Sequence, residues 1–244
     1  IEFALESGSP GSIDGSNQWS HTFNTPGAYT VTVLASDRAA AGGAILSTVR
    51  SSFTVVVGGY TEFIDVPPSH PHFVTITDAA RTRGFVGYPS GSDREFRPDQ
   101  GITRGEFMTL VMRFTGTPVD TSGTLFPDVP STHTHFAAIQ TYKNQAFVVG
   151  YADGTFRPDS PLVRQEMAII FANLAGWDDD EPVTSVPFLD VPADPPNGLT
   201  NSQWTPIYQS VGQLVRHSLA STSNTTYRPF DNATRLEAVL MLSR

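Results

Sequence analysis

Two periodicities divide the chain. Residues 27–34 read GAYTVTVL, where apolar and polar positions alternate and β-branched residues are frequent, as in a half-buried strand. Phe53 to Val57 is a second such run, and Ile1 to Leu5 opens inside a third. Ala39 to Gly43, small and glycine-containing, predicts a turn between the first two. Residues 1–58 are therefore expected to form a small β module, with Gly58 and Gly59 as a hinge. Beyond residue 60 the spacing changes. Phe136, Ile139 and Tyr142 recur near helical intervals and predict a helix over 135–145. A second helix is expected from Arg164 to Leu174, with Gly176 placed to end it. Gly150 to Pro158, between the two, is dense in turn formers, so the unit reads helix, loop, helix.

That unit occurs three times. FIDV at 63–66 returns as FPDV at 126–129 and FLDV at 188–191. FRPD at 96–99 returns as FRPD at 156–159 and as YRPF at 227–230. Six residues after each proline stands an arginine, with a glutamate two further on: Arg104 and Glu106, Arg164 and Glu166, Arg235 and Glu237. A lone helix pair has an apolar face it cannot bury by itself, whereas three pairs can bury theirs against one another. The expected chain is multidomain. An N-terminal β-sandwich precedes an α-helical domain in which units 61–117, 124–177 and 186–244 pack as a pseudo-threefold trimer.

Composition narrows the function. The net charge of −9 over 244 residues repels a phosphate backbone, which argues against nucleic acid as a partner. The absence of cysteine excludes disulfides and thiolate metal sites and leaves the compartment open. No run of 18 apolar residues predicts a membrane span. The chain opens within a strand pattern and shows no basic leader, so it reads as a piece of a longer or processed protein. Lys143 is the one lysine, and the remaining positive charge is arginine, which makes planar, forked contacts with carboxylates and phosphates.

The start of each second helix carries the most chemistry. Thr103 with Glu106, and Thr234 with Glu237, fit a capping box, in which threonine accepts from the third helical amide and glutamate accepts from the cap amide. Capping is the expected role of these glutamates. Val163 denies the second unit the threonine half. Each arginine falls at the first helical position, where a cation opposes the helix dipole. Two readings follow. One is an internal salt bridge to Asp65, Asp128 or Asp190, or to the glutamate two residues on; the other is an anionic ligand held by guanidinium and free helix-start amides. Phe73, Phe136 and Trp204 occupy equivalent places as core or sugar-stacking rings, with Trp204 the best suited to a sugar. Gly150, Asp153 and Gly154 look first like turn residues and second like a close approach to a ligand. His70, His72, His133 and His135 lack a third partner for zinc, and Asp178 to Glu181 lacks calcium-loop spacing. No metal, cofactor or catalytic constellation is expected.

Two resemblances add to this reading. HTFNTPGAYTVTV at 21–33 resembles the closing hairpin of a PKD-type immunoglobulin-like domain, truncated here at its start. Residues 61–244 resemble three S-layer homology repeats, best in GYADGTFRP at 150–158, and also through Gly87, Tyr88 and ITRGE at 102–106 in the first unit and Trp204 and TRLE at 234–237 in the third. The third unit replaces the glycine-rich loop with Ser221 to Thr226. The resemblance implies a spindle-like trimer whose grooves hold an anionic, often pyruvylated, cell wall polysaccharide or a peptidoglycan-linked polymer. It also implies that Arg104, Arg164 and Arg235 face the acid group, with Trp204, Gly87, Tyr88, Gly150, Tyr151, Asp153 and Gly154 around it. The expected function is non-catalytic anchoring at a prokaryotic cell envelope. The alternatives are a structural subunit whose repeats bind other envelope proteins or copies of itself, and the wall anchor of a larger hydrolase.

Overall fold

The structure is a computed structural model that describes residues 63–177, 181–196 and 198–244 in full, and before them the backbone of five strands. Those strands are β1 (Glu2–Leu5), β2 (Ser12–Ile13), β3 (Trp19–Ser20), β4 (Gly27–Arg38) and β5 (Ile45–Val57). β4 pairs antiparallel with both β1 and β5, and β2 pairs with β3. The immunoglobulin-like sandwich expected over 1–58 otherwise lies outside the described residues, as does the acidic run at 178–180. Contacts divide the chain into two units: residues 1–82 with 86–96, and residues 83–85 with 97–244.

In the first unit α1 (Phe73–Arg83) is followed by a hairpin of β6 (Tyr88–Ser90) and β7 (Asp93–Glu95). α1 buries Phe73, Ile76, Thr77 and Ala79, which fall on one side of the helix. The hairpin closes on the FIDV phrase. Phe63 and Phe96 stack at 5.6 Å between ring centroids, and the Asp65 carboxylate accepts from the Phe96 amide at 2.7 Å. Gly87 lies beneath the Phe63 ring, where a Cβ would come within 2.6 Å of the ring and 2.2 Å of the Glu95 carbonyl oxygen.

The second unit contains α2 (Arg104–Thr115), α3 (Phe136–Asn144), α4 (Arg164–Ala175), α5 (Asn201–Arg216) and α6 (Arg235–Leu242). α2 packs on α3 and α4 on α5, so the second helix of one repeat packs on the first helix of the next. Phe107, Met108, Val111, Ile139, Met167, Val211 and Leu214 are fully or almost fully buried. Each large apolar side chain so buried contributes about 1.5–3 kcal/mol. Gly116 and Gly176 end α2 and α4 in the left-handed conformation (φ 66° and 70°) that a Cβ disfavours. No helix among the described residues is long and apolar enough to cross a membrane.

Asp128 and Asp190 of the FxDV phrases serve backbone amides rather than the helix-start arginines. Asp128 accepts from the amides of Phe156 and Arg157 at 2.9 and 2.6 Å, and Asp190 from those of Tyr227 and Arg228 at 2.8 and 2.7 Å. This joins the two phrases that repeat in sequence. It also explains a shared strain, because Arg157 and Arg228 both sit at positive φ, 59° and 60°. A left-handed L-residue costs about 1–2 kcal/mol, and amide bonds to a carboxylate, worth about 1.5–3 kcal/mol each, offset it.

Candidate functional site

The three second helices begin on a closed ring of backbone bonds. The amide of Ile102 donates to Ala233, that of Ala233 to Leu162, and that of Leu162 back to Ile102, at 2.8–3.0 Å. The next turn repeats the pattern: Arg104 donates its amide to Ser160, Arg164 to Asp231 and Arg235 to Gln100. The second helical amides donate to Pro158, Pro229 and Pro98. The FRP turn of each repeat thus receives helix-start amides from another. Thr103 Oγ1 and Thr234 Oγ1 take the third amides of α2 and α6, at 3.2 and 3.1 Å. The free helix-start amides invoked for an anion are therefore already bonded at the first two positions of all three helices.

The side chains close a second ring over the first. Arg104 Nη1 meets Glu166 Oε1 at 3.2 Å, Arg164 Nη1 bonds Glu237 Oε1, and Arg235 Nη1 lies 3.7 Å from Glu106 Oε1. Each arginine pairs with the corresponding glutamate of the next repeat, and the third returns to the first. The other carboxylate oxygen caps its own helix: Glu106 and Glu237 accept from the Thr103 and Thr234 amides at 2.9 Å, and Glu166 from Val163 at 3.4 Å. Without a hydroxyl at Val163, the second unit has only that half of the box. Arg104 Nε donates to the Phe156 carbonyl and Arg164 Nε to that of Tyr227, at 2.9 and 2.7 Å. Those same rings lie under the guanidinium groups, 4.7 and 4.6 Å away. Arg235 lies over Phe85 at 5.0 Å.

Two equivalent clefts flank this ring, each between the arginine of one repeat and the loop and glutamate of the next. The cleft at Arg104 has a volume of about 220 Å³ and runs along Gly150, Tyr151, Glu166 and Asn173. Tyr151 closes it: the hydroxyl donates to Glu166 at 2.6 Å, and the ring has Arg104 on it at 4.8 Å and Arg157 at 4.0 Å. Burial and the bond to Glu166 raise the phenol's pKa. The cleft at Arg164, about 230 Å³, has no such lid; Ser221, Asn224 and Thr226 line that side. Its charged groups are Arg164, Arg228, Arg244 and Glu237, three cations to one anion.

The remaining expected site residues fall as follows. Trp204 is 1 % exposed and its indole N–H donates to the Pro192 carbonyl at 2.8 Å, so it is a core residue rather than an exposed sugar platform. At Gly150 the close approach is made by the chain itself: a Cβ would lie 2.5 Å from the Thr155 oxygen and 2.7 Å from Phe126. Tyr88 lies in β6, paired with Glu95 across the hairpin. Gly154 is a turn residue at φ 80°. Asp153 binds Thr155 and Arg157, whose hydrogen bonds hold its carboxyl well below the usual range. His133 reaches Asp159 at 3.4 Å, and among the described residues no three His, Asp or Glu side chains are grouped to hold a metal. Sequence reasoning missed Arg244 and Phe230; the latter was signalled by a phenylalanine where the other repeats have Asp99 and Asp159.

The S-layer homology domain family matches residues 62–108 and 125–168, which lie in the first and second repeats. The chain is 36% identical over 87 residues to Cell surface glycoprotein 1 of Acetivibrio thermocellus, covering 34% of this chain and 4% of that protein. It is 33% identical over 114 residues to the Cellulosome-anchoring protein of the same organism, covering 43% of this chain and 24% of that protein. The chain therefore spans only a minor part of either relative's length. Two of its three repeats carry S-layer homology domain sequence, in a chain homologous over part of its length to proteins named for the cell surface and for anchoring.

Proposed function

We propose that this chain is a non-catalytic anchoring module that holds a larger protein at a prokaryotic cell envelope by binding an anionic wall polysaccharide. In this reading 1–58 is a β module that presents the rest of that protein, and repeats 61–117, 124–177 and 186–244 form the anchor. The carrying observation is the cleft at Arg164, whose lining holds three guanidinium groups and one carboxylate on a chain of net charge −9, Arg228 being shared with Asp231 at its rim. Such a site favours a carboxylate or phosphate group on a sugar. The names of the two relatives support the envelope location. Arg164 holds the acid group, with Arg228 and Arg244 at its rim; Arg104 and Arg235 act first as ring members. The test is co-sedimentation of the full chain with purified wall sacculi, native and acid-stripped, at stated salt. Native sacculi should pull the protein down and stripped ones should not. Arg228→Asn with Arg244→Ala, which removes two exposed cations and suits the left-handed position at 228, should weaken binding about tenfold or more, most strongly at low salt. Equal sedimentation with stripped sacculi would refute the reading.

A further inference from the structure

The third repeat carries a second surface that the ring does not use. Where the first two repeats have Asp99 and Asp159, it has Phe230, and that ring is 53% exposed. Phe230 is held in place from behind: the buried Trp204 lies nearly parallel to it, at 6.3 Å between centroids and 25° between planes. Around it a shallow cleft of about 430 Å³ is walled by Leu189, Pro192, Pro196 and Pro229, with Asp190, Arg228 and Asp231 as its polar groups. A mostly apolar wall with one aromatic ring and a few convergent polar groups is the composition of a small-ligand site.

The charges there are already balanced. Both oxygens of Asp190 accept backbone amides, and Asp231 lies 3.5 Å from Arg228 Nη1. The cleft therefore offers a flat apolar ring with a neutral, hydrogen-bonding rim, which does not select an ion. What fits is a ring-sized ligand with an apolar face and hydroxyl edges: a pyranose. Arg228 also lines the Arg164 cleft, with Nη2 3.5 Å from Glu237, so one side chain forms the boundary between the two.

We propose that Phe230, with Pro229 and Arg228, forms a stacking subsite for an uncharged sugar unit of the wall polymer, next to the acidic unit held at Arg164. This inference rests on the anchoring reading above. It is tested by titrating native sacculi with the wild-type full chain and with Phe230→Tyr, Phe230→Leu and Phe230→Asp, the last restoring the residue of the other repeats. Leucine keeps apolar contact with Trp204 but loses the flat face. Tyrosine should bind like wild type. Leucine and aspartate should lose about tenfold in affinity, the scale of one aromatic contact, with the salt dependence unchanged. Wild-type affinity in the leucine and aspartate variants would overturn the subsite and leave the anchor standing. Failure of the wild type to bind sacculi would overturn both. If Phe230→Asp instead converts a dimer to a monomer in solution, with wall binding intact, the face is a protein contact and the proposal is wrong.

Discussion

Each glutamate of the ring serves two donors: one oxygen accepts its own cap amide, and the other meets the arginine of the preceding repeat. The Thr–Arg–x–Glu phrase is thus both a helix cap and half of an inter-repeat clasp. The capping half was legible in sequence, since its partners lie three residues apart. The clasp was not, because Arg104 and Glu166 meet only once the ring has closed, and the nearby aspartates were equally plausible partners. Read as a ligand contact, Arg104 would be expected to leave the melting temperature nearly unchanged when replaced by alanine; the geometry reverses that. Its side chain is 5% exposed, and its removal leaves the part-buried Glu166 without its cation and the Phe156 carbonyl without the Nε donor. Arg104→Ala should cost roughly 3 kcal/mol of stability in urea unfolding. Arg104→Lys should recover only part, having lost the fork. A loss below about 0.5 kcal/mol would mean that the clasp adds little to the fold.

At the scale of elements, the helices of the second unit were well anticipated: α4 begins at Arg164 and ends against Gly176, and α3 covers the expected span less its first and last residues. The hairpin β6–β7 was missed, because strands of three residues are too short to show a period of two. The α2–α3 contact was missed as well, and it has a pH dependence. Gly105 of α2 leaves room for the His135 ring, since a Cβ there would lie 2.8 Å from Cδ2, and His135 Nδ1 is 2.8 Å from Thr109 Oγ1. Burial lowers the imidazole pKa from 6.5; Glu106 and Asp159 pull the other way, while His133 and Arg113 add to the lowering. The unfolded chain therefore takes up a proton that the folded one resists. Stability from this site is fully present above about pH 6.5 and is lost as pH falls from there through the lowered folded value. The urea midpoint should fall between pH 7.5 and 5.5, and His135→Asn should flatten that slope. An unchanged slope in the variant would assign the pH effect to other groups.

At the scale of the molecule, the repetition predicted that three helix starts would meet; it did not reveal that the junction is a cycle of bonds. Ile102, Leu162 and Ala233 are each donor to one repeat and acceptor from another, so no edge can open without exposing partners in both neighbours. A linear repeat array frays from its ends, because each unit contacts only its neighbours in the row. A closed ring has no end at which to fray. The three amides should therefore exchange with solvent through one global opening, with protection free energies that agree within about 0.5 kcal/mol and match the stability from urea unfolding. The cycle adds a sharper expectation. Arg164→Ala breaks only the clasp between the second and third repeats, yet it should lower the protection of Ile102 as much as that of Leu162 and Ala233. Native-state hydrogen exchange of the full chain measures all three in one experiment. If Ala233 loses protection in the variant while Ile102 keeps it, the third repeat opens by itself, and the ring is three separate contacts rather than one cooperative unit.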